Sequence, residues 1–115
     1  MILTPAIVAA IVAACSTHPT PPPARYVNQA QVEMARGTVV TVRELPADQI
    51  HMACGNGESP VDYPNRRYGA CTIPLGFNVA TSTVNYTMIV PTGNLGAMCH
   101  ELGHVGGWAG NHPRR

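Results

Sequence analysis

Charge is scarce in this chain: 11% of its 115 residues are Asp, Glu, Lys or Arg, and the formal net charge is +1. A surface so nearly neutral offers no broad field to hold nucleic acid or anionic lipid, and no nucleic-acid partner is expected. Arg66-Arg67 and Arg114-Arg115 are isolated pairs that read as solvated charge. Also missing is an apolar run long enough to cross a bilayer, which takes about 20 residues. No internal repeat is visible, and the length allows one domain at most, with roughly 90 residues available for a core. Gly and Pro, by contrast, are plentiful at eleven each. They imply many turns and a loop-rich fold.

Residues 1–14 are apolar except for Thr4 and Pro5 and read as a cleaved targeting segment, although no Lys or Arg precedes the apolar stretch as one does in an ordinary secretory signal. Val12-Ala13-Ala14-Cys15 resembles the lipobox of bacterial lipoproteins. That resemblance implies that Cys15 carries the lipid, becomes the first residue of the mature protein and anchors it to a membrane of the cell envelope, facing the periplasm or the exterior. An ordinary signal with an incidental cysteine is the alternative. Residues 15–24 include Pro21-Pro22-Pro23, which favours an extended tether with His18 solvated inside it. The folded domain is expected over residues 25–115.

Within that domain, residues 29–37 fit a short helix ended by Gly37 or a strand. Thr38 to Val42 is rich in β-branched residues and predicts a strand; Gln49 to Cys54, with Ile50 and Met52 on one side, predicts another. Residues 55–67 carry turn chemistry and predict an exposed loop. Ala70 to Leu75 and Val84 to Val90 predict two further strands. The fold class expected is α+β, a short antiparallel or mixed sheet packed on one functional helix. With Cys15 assigned to lipid, Cys54, Cys71 and Cys99 remain. A Cys54–Cys71 disulfide would close the long loop and contribute about 3 kcal/mol on the chain-entropy model, leaving Cys99 as a small buried residue.

The chemistry lies in Met98 to His112, which contains His100-Glu101-Leu102-Gly103-His104. At about 100° per residue, two histidines four apart on a helix lie about 40° apart and one turn up, so both imidazoles converge on one ion. Glu101 lies about 60° from His104 on the same side, able to reach a water on the metal without ligating the ion, as a general base must. Met98, Leu102 and Val105 fall about 140° to 200° from His100, so the opposite face is apolar and packs on the core. Cys99 points about 140° from His104, which argues against its sharing the metal. Thr92 or Asn94 can cap the start of the helix, and Gly106-Gly107 can end it. His112 lies eight positions after His104, ample for the chain to return to the ion, and is the natural third ligand.

This segment looks like the zincin metallopeptidases, and a glycine after the second histidine with a third histidine downstream is similar to the metzincin pattern H-E-x-x-H-x-x-G-x-x-H. The resemblance covers about residues 98 to 113. It implies zinc held by His100, His104 and His112, with Gly107 as the turn glycine and Glu101 as the group that takes a proton from water and passes it to the leaving amine. His112 comes two positions later than in that pattern, and no Met-turn follows. The resemblance also implies a peptide or protein substrate, bound along the strand before the helix, which Val84 to Val90 would supply. His51, Tyr68 and Tyr86 are candidate oxyanion donors. The block also resembles small bacterial envelope proteins of unassigned function. Two rival roles stay open: a closed zinc site completed by one of Glu33, Glu44, Asp48, Glu58 or Asp62, and a lipoprotein that acts by binding another envelope component.

Overall fold

A computed structural model describes residues 1–55, 69–110 and 112–114. In chain order these form α1 (Pro5–Cys15), α2 (Ala24–Ala35), β1 (Val40–Leu45), a 3-10 turn (Ala47–Gln49), α3 (Ile50–Gly55), β2 (Cys71–Asn78), β3 (Thr83–Pro91) and α4 (Leu95–Val105). The class is α+β, as expected, with one mixed sheet in the order β1-β3-β2. β3 is central, parallel to β1 and antiparallel to β2. Val40, Val42, Met88 and Val90 present one face of the sheet to Leu102 and Val105 of α4, Ala30 of α2 and Val8 of α1. Full burial of side chains such as Met88 and Leu102 stabilises by about 1.5–3 kcal/mol each. The apolar stripe of α4 therefore packs as its spacing predicts. Ile89, between Met88 and Val90, is buried on the other face, where Cys71 pairs beside it and the Cys54–Cys71 disulfide ties in α3.

Several expectations need correction. Gln49 to Cys54 is helical, not extended. In a strand Ile50 and Met52 would share a face, but Ile50 is 1% exposed and Met52 64%, the separation that a helical period gives residues two apart. The segment over 29–37 is the end of α2, which starts earlier, at Ala24, and stops before Gly37 at φ 112°. Val84 to Val90 is no half-exposed edge: β3 pairs on both sides, and β2 is an edge of the sheet. The loop expected over 55–67, with Glu58, Asp62, Arg66 and Arg67, lies almost wholly outside the described residues, as do Tyr68 and Arg115.

The largest departure is at the N-terminus. Residues 1–24 pack into the fold instead of standing away from it. Thr4 caps α1 and Pro5 occupies its first turn. Leu3, Val8 and Cys15 are all 5% exposed or less. Met1 to Leu3 run along the outer edge of β1, with Leu3 N–H donating to the Val40 carbonyl (2.9 Å) and Val42 N–H to that of Met1 (2.7 Å). The supposed tether lies against α4 because that helix has a strip of glycines. A Cβ at Gly96 would come within 2.6 Å of the His18 imidazole, one at Gly103 within 2.8 Å of the Pro22 ring, and one at Gly106 would overlap the Tyr26 carbonyl. His18 is accordingly half-buried rather than solvated. Cys99 is buried but is no lone thiol; it is bonded to Cys15, with their Cα atoms 5.6 Å apart. One sulfur cannot hold both this disulfide and a lipid thioether, and any processing that removed residues 1–14 would take Leu3 and Val8 out of the core.

Candidate metal centre

Asn94 starts α4, its side chain accepting a hydrogen bond from Ala97 N–H (2.9 Å). Two turns later the helix carries His100, Glu101 and His104 on the face that the core stripe leaves free. Gly106 caps it, Gly107 at φ 99° reverses the chain, and His112 at φ 56° brings its ring back to the helix. The structure thus joins the three histidines that the spacing singles out. Each offers Nε2: His100 to His112 is 3.1 Å, His100 to His104 3.2 Å and His104 to His112 3.2 Å.

That triangle tests whether the residues fit a metal. A ring nitrogen either carries a proton or presents a lone pair, so three nitrogens in mutual contact cannot all be satisfied by one another; two must be alike. A cation at their centre satisfies all three lone pairs. Tetrahedral zinc with bonds of 2.0–2.1 Å holds its ligand nitrogens about 3.3–3.4 Å apart, close to the observed separations. His104 is also set in the ligating tautomer. Its Nδ1 lies 2.7 Å from the Trp108 carbonyl, which can only accept, so Nδ1 bears a proton and Nε2 is the nitrogen left to ligate. Burial pushes the His100 imidazole down to about 4, helped by His104, His112 and Arg114, so the ring stays neutral at ordinary pH. Among the described residues no fourth Asp, Glu, Cys or His joins this group.

Glu101 sits beside the triangle without entering it. It is 4% exposed, and its Oε2 is 3.9 Å from His100 Nε2. Its Oε1 accepts a hydrogen bond from the Thr72 hydroxyl of β2 (2.8 Å), a partner that sequence spacing does not reveal because it lies 29 positions away. Desolvation raises the Glu101 carboxyl above the usual carboxylate range, against the opposing pull of Thr72 and His104. A carboxylate so placed is held in one orientation and is more ready than usual to accept a proton.

The other candidates lie elsewhere. His51 is on α3, outside the three-imidazole group. Tyr86 lines a cavity of about 250 Å³ with Gln29, Glu33, Thr38 and Gly106, which none of the three histidines lines. Glu33 accepts from Gln29 (2.7 Å) and Glu44 from Gly93 N–H (3.1 Å), neither of them at the centre. Arg114, expected as free surface charge, stacks over Trp108 at 5.1 Å and donates to the Pro21 carbonyl (2.6 Å). No protein-family model, curated protein or solved structure matches the chain. The functional reading therefore stands on the geometry of these side chains.

Proposed function

We propose that the chain is a zinc-dependent peptidase, with His100, His104 and His112 holding the ion and Glu101 moving the proton. The observation that carries the reading is the triangle of three Nε2 atoms at 3.1–3.2 Å with a buried carboxylate beside it. Three imidazoles suit zinc among the common divalent ions, and three protein ligands leave a position open, as in catalytic sites. Bound there, zinc would polarise a carbonyl and acidify water. Glu101 would take a proton from a water at the site and pass it to the departing amine, while Thr72 keeps Oε1 engaged and leaves Oε2 turned toward the imidazoles.

The substrate strand belongs on β2 rather than β3. β1 has its outer edge covered by Met1 to Leu3, whereas β2 pairs with β3 alone among the described residues and carries Thr72 next to Glu101. A peptide added along that edge would be held by main-chain hydrogen bonds. Leu75 and Phe77, 64% and 62% exposed, supply apolar contact on the same strand. An envelope location is also part of the proposal, because two disulfides belong to an oxidising compartment; the resemblance of Val12 to Cys15 to a lipobox is the competing use of the Cys15 sulfur. The intact mass of the protein from membranes decides whether the Cys15 sulfur carries acyl chains or a disulfide.

The function is tested by metal analysis and peptide hydrolysis on the purified chain. His100→Ala, His104→Ala or His112→Ala should each lower zinc content. Glu101→Gln should retain near-stoichiometric zinc and lose most hydrolysis, about 10²–10⁴-fold, because the amide cannot accept the proton. A wild-type chain that holds zinc and cleaves nothing in a broad peptide library, with Glu101→Gln indistinguishable from it, would move the protein to a zinc-stabilised binding role.

A further inference from the structure

Three imidazoles meet at a point only if something holds them from behind, and outer-shell partners usually do this one ligand at a time. Here one residue serves the whole group. Trp108 is the sole Trp of the chain and is 3% exposed. Its carbonyl fixes Nδ1–H of His104. Its indole Nε1–H donates to the carbonyl of Pro113 (2.7 Å), the residue after His112. Its ring lies against all three imidazoles, with centroids 5.0 Å from His100, 5.3 Å from His104 and 4.9 Å from His112.

The surroundings are shaped for that ring. Gly103 is bare beneath it: a Cβ there would stand 2.9 Å from Trp108 Cε3. The Trp108 N–H closes on the Gly103 carbonyl (2.9 Å), folding the segment back under α4 immediately after the Gly107 reversal. Arg114 covers the ring while tied to Pro21. His112 needs such help more than the helical ligands do. It sits on an irregular return segment at φ 56°, a backbone region that non-glycine residues seldom occupy, with its N–H donating to the Ala109 carbonyl (2.9 Å).

We propose that Trp108 is the positioning residue of the metal centre: its indole N–H locks the return segment that delivers His112, and its ring forms the common wall against which the three imidazoles set their angles. The inference rests on the metal reading above and adds a requirement to it. Trp108→Phe keeps an aromatic wall and removes the N–H donor. Zinc titration against a competing chelator should then show affinity lower by about 10–100-fold, the usual cost of losing an outer-shell bond. The visible spectrum of the cobalt-loaded variant should differ from wild type, reporting altered ligand geometry, while circular dichroism of the metal-free variant stays that of the wild type. Because Trp108 is the single indole, wild-type emission should also change as zinc is added and level off at one equivalent.

A wild-type chain that takes up no zinc overturns both this inference and the metal reading. Zinc affinity and a cobalt spectrum unchanged in Trp108→Phe overturn this inference alone. So does wild-type emission that stays constant through zinc saturation, a result that needs no variant to fold.

Discussion

Replacing Cys15 by Ala would remove the bond that fastens the N-terminal helix to α4. The Cys15–Cys99 disulfide spans 84 residues, and the Cys54–Cys71 bridge lies within that loop, shortening its effective length to roughly 68. On the chain-entropy model a loop of that size is worth about 4 kcal/mol, against about 3 kcal/mol for the 17-residue separation of Cys54 and Cys71. Unfolding entropy near 2.1 cal/mol/K per residue gives about 0.24 kcal/mol/K for a chain of this length. The Cys15→Ala melting point should then fall by about 17 °C, and that of Cys54→Ala by about 13 °C. Thermal unfolding of the purified full chain, followed by circular dichroism without reductant, reads both. Alkylation under the same conditions should label no cysteine in the wild type and Cys99 in Cys15→Ala. If Cys15→Ala melts with the wild type, or if Cys99 labels in the wild type, the N-terminal helix is not fastened in the way described, and removal of residues 1–14 becomes the better account.

Two further outcomes follow from the site and its supports. With its imidazole depressed to about 4, His100 takes up a proton in the unfolded chain below about 6.5 but not in the folded one, so the metal-free protein should lose stability as pH falls from about 6.5 to about 4 and level off below that. Glu101, raised by burial, works in the opposite sense, and the decline should be steeper in Glu101→Gln; a denaturant midpoint that is flat across this window in that variant would contradict the assignment. Gly106→Ala drives a Cβ into the Tyr26 backbone and should cost about 3 kcal/mol or more, whereas Gly96→Ala meets only the movable end of His18 and should cost under about 1 kcal/mol. Equal midpoints for the two would show that α2 does not pack this closely on α4.

The site was legible in the sequence because its residues are close in the chain. His100, Glu101 and His104 follow from the period of a helix, and His112 from the length of a short return. Thr72 was hidden because its partner Glu101 is distant in sequence and a threonine in a β-branched strand carries no sign of a polar contact. Trp108 was visible but mute, since spacing says nothing of a ring that touches three others. The hydrophobic pattern of residues 1–14 fits a leader and a buried helix equally well; what marks the second is the glycine strip at Gly96, Gly103 and Gly106, meaningful only once something is known to lie in it. Gln49 to Cys54 fits a strand and a helix alike in its pattern, because six residues are too few to tell a period of two from one of 3.6.

The closeness of the three histidines in the chain also bears on the order in which it can fold. Residues 100 to 112 close a loop of about a dozen residues, a low entropic barrier reached on the scale of tens of nanoseconds, while β1 must find β3 across more than forty residues. A metal ion can therefore be captured by the nascent helix and its return segment before the sheet exists. On the proposed metal reading, the ion would be an early template for folding, and its supply in the compartment would set the yield of folded protein.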